Sequence, residues 1–282
     1  MSLDLTSSRI FSIEGRTAVL TGASGFLGRT FARTLLANGA RVVAIGRSRR
    51  LDDEVKLWAA EFGTDLVRSY RVDMYNAVEF ERALDDIVTS EKSIDIAINN
   101  AHELGAGTGF NLPEGTLERG TAEQWMKNLT GGVYWAVQTT QKLGAMMKSQ
   151  GRGSIVNIST MYALVAPRPQ LYAGTEFVNP PGYSASKAAL LSFTRYTASF
   201  WGSYGVRANA ILPGPFSNTE DIGGDNSVAT DSPFLTRLKG YTCLGRVGKP
   251  HELLGALLFL ASDASSFMTG QAIVVDGGWT AV

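Results

Sequence analysis

The run Tyr183-Ser184-Ala185-Ser186-Lys187 sets a phenol and an ammonium four residues apart. Apolar spacing predicts a helix over 182–202, so both side chains leave one helix face and can act on the same atom. A free phenol has a pKa near ~10, and exchanging its proton near neutrality requires lowering that value by about 3 pH units, or ~4 kcal/mol. A close ammonium and a second bound cation would supply such a change. A solvated helix face presents the same pair, so the motif takes its meaning from its neighbours.

The second chemical cluster is Thr21-Gly22-Ala23-Ser24-Gly25-Phe26-Leu27-Gly28, set between a short apolar run at 17–20 and a helical pattern at 27–38. Gly22 and Gly25 let a backbone turn tightly beside a pyrophosphate, where a helix start offers free N–H groups and the positive end of its dipole. Gly28 allows the helix to pack closely on the strand. The spacing is GxxGxxG; it is neither GxGxxG nor a P-loop, since no Gly-Lys-Ser/Thr follows. A loop whose glycines only relieve steric strain is the alternative.

These groups need a frame. β-branched apolar runs at 17–20, 41–45, 66–71, 94–98, 154–158, 206–211 and 272–275 alternate with helical patterns at 27–38, 50–62, 76–90, 121–149, 182–202 and 250–261. That alternation predicts an α/β, Rossmann-like, doubly wound parallel sheet of seven strands with helices on both faces. Nothing resembling a linker or repeat interrupts it, so the expectation is one domain over 16–282 preceded by a leader at 1–15. Two stretches, 103–120 and 162–182, are long for simple connections. Both follow strands, on the edge where such sheets bind ligands.

Composition narrows the partners. Twenty-six basic and 26 acidic residues leave no net field toward nucleic acid or an anionic membrane, which leaves a small molecule as the expected partner. Apolar stretches fall short of the roughly 20 residues a bilayer span needs, and no signal pattern opens the chain, so the expected location is cytoplasmic. Cys243 is the one cysteine and His102 and His251 the two histidines. Disulfides and a zinc site are therefore not expected.

With Asn99-Asn100-Ala101 after the fourth strand, Asn157-Ile158-Ser159-Thr160 after the fifth, Pro213-Gly214 after the sixth, and Gly270-Gln271 through Val275-Asp276-Gly277-Gly278 at the end, the chain resembles the short-chain dehydrogenase/reductase family over nearly its whole length. The resemblance implies an NAD(P)-dependent oxidoreductase that moves a hydride between nicotinamide and a carbonyl or secondary alcohol. It further implies that Tyr183 is the general acid/base and that Lys187 binds the nicotinamide ribose and lowers the tyrosine pKa. Asn128 would hold a helix bend and a water beside the lysine, and Thr160 stands where the family has its substrate-orienting serine, with Ser159 just before it. Gly22, Ser24, Gly25, Leu27, Gly28, Asp73, Met74, Asn100, Ala101, Pro213, Gly214 and Phe216 fall at cofactor-binding positions. Asp73 would contact adenine, with a plain helix N-cap as the alternative. His102 replaces the usual glycine and would border the nicotinamide ribose. A homotetramer or homodimer is implied, although an apolar C-terminal face that packs on the core would read the same.

Three departures accompany the likeness. The family serine is Thr160; 23 positions separate it from Tyr183, where the family more often has about 13; and the glycine spacing is similar to that of the two-domain epimerase and dehydratase branch. The final strand favours the single-domain branch. An epimerase with tightly held NAD, or a non-catalytic cofactor-binding sensor or scaffold, stays open beside the reductase.

The second strand ends Val43-Ala44-Ile45-Gly46-Arg47-Ser48. Without a carboxylate for the ribose diol, Arg47 and Ser48 suit a 2′-phosphate, so NADP(H) is expected over NAD(H), against the alternative of a solvated basic turn. In the longer loop, Arg168 lies between Pro167 and Pro169, where restricted backbone favours presenting a guanidinium to an anionic or polyhydroxylated substrate. Pairing with Glu176 or Glu103, or exposure to solvent, is the alternative for Arg168. The Val165-Ala166-Pro167-Arg168 run also resembles that of family members linked to sugar-acid and surface-glycan biosynthesis.

Overall fold

The central run Thr17–Thr21 (β1) is buried at every position, as expected of a strand covered on both faces. It opens a sheet that continues through Arg41–Gly46 (β2), Val67–Arg71 (β3), Ile96–Asn99 (β4), Gly153–Ile158 (β5), Val206–Pro213 (β6) and Ala272–Val275 (β7). The helices are Ser7–Ile10 (α1), Phe26–Ala37 (α2), Arg50–Phe62 (α3), Ala77–Ser90 (α4), Ala122–Leu129 (α5), Trp135–Gln150 (α6), Pro169–Tyr172 (α7), Pro181–Trp201 (α8), Pro233–Gly240 (α9) and Leu254–Ala261 (α10). This computed structural model describes residues 6–175, 178–216 and 233–282.

All strand pairs are parallel, in the order β3-β2-β1-β4-β5-β6-β7. The chain leaves β1 toward β2 on one side and returns to β4 on the other, which opens a crevice beyond the carboxyl ends of β1 and β4. One face of the sheet packs Phe31, Leu35, Leu257 and Leu260 against Ala18, Leu20, Ile96 and Ile98. The other packs Phe80, Leu84, Leu143 and Met147 against Val19, Val43, Ala97 and Ile155.

Within the stretch expected as a leader, Ile13 is fully buried in the first core cluster and Phe11 meets Phe259 at 6.3 Å between ring centroids. One expectation needs correction. The helix expected over 121–149 is divided by a π-turn at Thr130–Tyr134. The cause lies in Gly131-Gly132: a Cβ on Gly132 would stand 2.0 Å from Ser186 Oγ of α8. The two elements can approach only with no side chain there, and the extra residue in the turn resets the helical phase so that Asn128 and Trp135 both face inward.

Sequence periodicity left α7 and α9 unassigned. Arg237 of α9 donates to the carbonyl oxygens of Gln170 (3.0 Å), Leu171 (3.0 Å) and Ala173 (2.6 Å). One guanidinium thereby organises the proline-containing loop.

Candidate active site

A cavity of about 690 Å³ occupies the carboxyl edge of β1, β2, β4, β5 and β6. It is lined by Gly22, Ser24, Gly25, Leu27, Arg47, Ser48, Asp73, Met74, Asn100 and Ala101 at one end, and by Thr160, Tyr183, Lys187, Pro213, Gly214 and Phe216 toward the other. A larger cleft of about 840 Å³ lies at the amino edge. Its charges satisfy one another, with Arg16–Asp263 at 2.6 Å and Arg152–Asp95 at 3.0 Å, so nothing there is poised for chemistry.

The glycine turn fits a dinucleotide by exclusion of side chains. Gly22 has φ +67°, and a Cβ there would stand 2.9 Å from Ala101 Cα; a Cβ on Gly28 would stand 2.1 Å from Gly22 O. Both close approaches are to backbone, which cannot swing aside. Thr21, which motif reading passed over, locks the turn to β4: its Oγ1 accepts from the N–H groups of Asn100 and Ala101, each at 3.1 Å. Asn100 Nδ2 donates to the carbonyls of Thr21 (3.2 Å) and Gly22 (3.1 Å). The cradle is thus backbone held by backbone, with the start of α2 supplying N–H groups to an anion.

At the end of β2, a Cβ on Gly46 would stand 3.3 Å from Ser24 Oγ, and Ser24 and Ser48 hydroxyls lie 3.2 Å apart. An acidic side chain at Gly46 would meet that hydroxyl pair. Arg47 reaches across the rim to Glu103 at 3.5 Å. Asp73 accepts from Tyr75 N at 3.1 Å, whereas the N-cap of α4 is Asn76. Asp73 is therefore not the helix cap, and it lines the cavity.

Pro181 occupies the first turn of α8 and Tyr183 follows it, so the phenol sits at the positive end of a 21-residue helix. One turn later, buried Lys187 donates from Nζ to Ile158 O at 2.8 Å. Ser159 Oγ donates to Lys187 O at 2.9 Å, which commits that hydroxyl to backbone. Thr160 instead hydrogen-bonds the Tyr183 hydroxyl. Burial pushes the Tyr183 pKa up to about 12, partly offset by the Thr160 bond, and burial pulls Lys187 down to about 7. Both groups are held toward their neutral forms, so a cation bound beside them would act strongly on the pair.

Asn128 is buried at the end of α5, and its Nδ2 donates to Thr108 O (2.8 Å) and Gln124 O (2.9 Å). It stands just before the π-turn. Asn99 and Asn157 serve the scaffold: Asn99 Nδ2 donates to Asn157 Oδ1 at 2.7 Å, and Asn157 Nδ2 to Thr194 Oγ1 at 2.8 Å.

Further aromatic groups pack around Tyr183 and Thr160. Phe110 lies edge-on to Tyr183 at 6.4 Å between centroids, and the Tyr162 and Tyr172 hydroxyls are 3.4 Å apart. Arg168 is not brought to this cavity. Its guanidinium stands 4.8 Å from the Tyr241 ring centroid and 5.9 Å from that of Trp279, and donates to Val282 O at 3.2 Å. Glu176 lies outside the described residues, and Glu103 is taken by Arg47. Sequence reading missed Trp135, Phe110 and Glu103, which come from irregular segments or a shifted helical phase and carry no motif.

A family model described as Enoyl-(Acyl carrier protein) reductase matches residues 22–280. Sorbose reductase of Schizosaccharomyces pombe is 32% identical over 278 residues, covering 96% of this chain and 98% of that protein. A 3-alpha-(or 20-beta)-hydroxysteroid dehydrogenase of Mycobacterium tuberculosis is 33% identical over 277 residues, covering 95% and 90%. Among solved structures, gluconate 5-dehydrogenase from Burkholderia cenocepacia in complex with NADP and tartrate superposes with a TM-score of 0.81 at 27% identity, covering 98% of this chain and all (100%) of that one. With the family model matched over residues 22–280 and such relatives matched over nearly their whole length, the chain belongs to the short-chain dehydrogenase/reductase family, NAD(P)-dependent oxidoreductases acting on CH–OH groups.

Proposed function

We propose that this chain interconverts a secondary alcohol and a ketone on a small polyhydroxylated substrate, a sugar alcohol, ketose or sugar acid, with NADP(H) as its preferred cofactor. The observation that carries the reading is the meeting of the Thr160 hydroxyl, the Tyr183 phenol and the Lys187 ammonium at one end of a cavity whose other end is a side-chain-free phosphate cradle. A nicotinamide held in this cavity would supply the hydride exchange. Tyr183 takes the proton from the alcohol oxygen in oxidation and returns one to the carbonyl oxygen in reduction. Thr160 orients that oxygen, and Lys187 favours the phenolate by its charge. Asn128 keeps the α5–α6 bend in place behind them.

At the other end, Gly22, Ser24, Gly25, Leu27 and Gly28 would hold the pyrophosphate and the ribose beside it, Asp73, Met74, Asn100 and Ala101 the adenine side, and Pro213, Gly214 and Phe216 the nicotinamide side. Arg47 and Ser48 would take the 2′-phosphate. The absence of a carboxylate at Gly46 supports that preference. The polar substrate class is supported by the Tyr162–Tyr172 hydroxyl pair next to Tyr183 and by the sugar and gluconate relatives. A homo-oligomer in the cytoplasm completes the reading. Its support is the exposed stack of Tyr196 on Phe200 along α8, 4.3 Å between centroids, and the absence, among the described residues, of a helix long and apolar enough to cross a membrane.

The test is turnover of gluconate, galactitol, L-sorbose and a 3α-hydroxysteroid with each nicotinamide, followed by absorbance. Activity on a polyol, ketose or sugar acid with NADP(H) favoured is the expected result. Activity confined to the steroid would overturn the substrate class, and calorimetry showing tighter NAD(H) binding would overturn the cofactor preference.

A further inference from the structure

β2 ends at Gly46 without an acidic side chain, yet the cavity wall beyond it carries carboxylates: Asp73 and Glu103 line it together with Arg47 and Arg50. Asp73 is engaged locally, its Oδ1 accepting from Tyr75 N at 3.1 Å, and Arg50 faces Glu54 at 4.0 Å. Glu103 is placed differently. It belongs to the segment that follows β4, and its Oε1 stands 3.5 Å from Arg47 Nη2. Because β1 lies between β2 and β4, the pair joins two strand ends roughly 10 Å apart, over the place where the glycine turn leaves β1.

The two partners are held unequally. Glu103 Oε1 lies 3.5 Å and 3.6 Å from the points that Cβ atoms on Gly105 and Gly107 would occupy, so the loop backbone folds against the carboxylate, and its side chain is 19% exposed. Tyr75 backs it from the connection between β3 and α4. That ring is set edge-on to buried Trp135 at 4.8 Å between centroids, and burial, together with the neighbouring Glu103 carboxylate, holds the phenol protonated by raising its pKa. The Arg47 side chain is 54% exposed and can swing on its long stem. The 3.5 Å contact is also looser than the roughly 2.7–2.9 Å of a charge-assisted hydrogen bond. A fixed anion and a movable cation make a pair that opens at the arginine.

We infer that Glu103 is a specificity-determining residue for the cofactor: it holds Arg47 in competition with a 2′-phosphate, and it offers a ribose diol the carboxylate that β2 lacks. The inference rests on the reading of this cavity as the dinucleotide site. With a 2′-phosphate in place, Arg47 leaves Glu103 for a bidentate contact, and Glu103 stays behind as a like charge near the phosphate. With a free diol the ion pair need not open, and a hydroxyl can donate to the carboxylate. Both effects act against NADP(H) and for NAD(H). The preference is therefore set by the difference between Arg47 and Glu103 and is narrower than the arginine alone would make it.

Glu103→Gln keeps the shape of the side chain and removes its charge. Calorimetric titration of the cofactor-free protein with adenosine 2′,5′-bisphosphate and with 5′-AMP reads the two arms without turnover. The variant is expected to bind the bisphosphate about tenfold more tightly and 5′-AMP roughly two- to fivefold more weakly, and the ratio of NADP(H) to NAD(H) affinity should move the same way. In an Arg47→Ala background the gain for the bisphosphate should shrink to roughly twofold, because no cation remains to be released. Glu103→Asp keeps the charge but draws it back from Arg47, and should give a smaller shift of the same sign.

Equal shifts for the two nucleotides, or none, would overturn the inference, as would a lower melting temperature with both nucleotides weakened alike. An unaltered chain that binds NAD(H) more tightly would count against the cofactor preference proposed above, and the direction in which Glu103→Gln moves the ratio would still decide the role of Glu103. An unaltered chain that binds neither dinucleotide would overturn the proposed function and this inference with it.

Discussion

The two ends of the cavity are built on opposite plans. At the end formed by the glycine turn, the surface is backbone: Gly22, Gly25 and Gly28 exclude side chains, and Thr21 and Asn100 tie one strand end to the next. At the other end the surface carries the Thr160 and Tyr183 side chains, with Phe110 edge-on to Tyr183 and the Tyr162–Tyr172 hydroxyl pair packed nearby. A backbone surface tolerates almost no local change because nothing in it can rotate away. A side-chain surface can be re-cut residue by residue, which is how one fold serves many substrates.

Tyr183→Phe, at the junction of the two ends, should give the largest effect: kcat falls roughly 10²–10⁴-fold while calorimetric binding of NADP(H) stays nearly intact. Full activity at neutral pH would remove the phenol from the chemistry. Gly28→Ala tests the backbone plan directly. Its Cβ would stand 2.1 Å from Gly22 O, so thermal and denaturant unfolding should show a loss of about 1–3 kcal/mol together with lost cofactor binding. A variant as stable and as tight as the parent would mean that the turn can relax.

Arg47→Ala should weaken NADP(H) about tenfold, ~1.4 kcal/mol, and leave NAD(H) alone. Equal weakening of both would assign Arg47 to the rim. The pH dependence of stability then separates the lysine from its surroundings. Lys187 has a folded value of about 7, below the ordinary lysine value of ~10.4, so between these values the unfolded chain binds the extra proton. Stability of the cofactor-free protein should rise with pH across that window, and Lys187→Met should flatten the rise. The smallest effect belongs to Arg168→Ala. Losing its place over Tyr241 and Trp279 should cost about 1 kcal/mol with KM unchanged; a raised KM for gluconate alone would bring Arg168 back to substrate recognition.

The same contrast decides what the sequence disclosed. Glycines, the Tyr183–Lys187 spacing and the strand-end asparagines are required by local geometry, so their pattern is visible in a short window. The seven strands followed from apolar runs for the same reason. Trp135 was not visible as a site residue, because an unbroken helix at 3.6 residues per turn misplaces everything beyond Gly131-Gly132. The surroundings of Arg168 could not be read from local backbone restriction, since the Tyr241 and Trp279 rings beside it lie far along the chain. Arg237, which organises the loop, sits in a helix too short to announce itself.

The line Asn99–Asn157–Thr194 has a consequence for how this protein can change. Its members come from β4, β5 and α8, and each buried amide nitrogen donates to an oxygen of the next member, while Asn99 Oδ1 has no partner among the described residues. Replacing one leaves the neighbour's polar group stranded, at about 1–3 kcal/mol, whereas replacing all three with apolar residues of similar shape can be nearly neutral. Single-step mutation therefore meets a barrier that a triple exchange does not. In a library built one substitution at a time, these three positions should behave as frozen, and in a library that varies them together they should not.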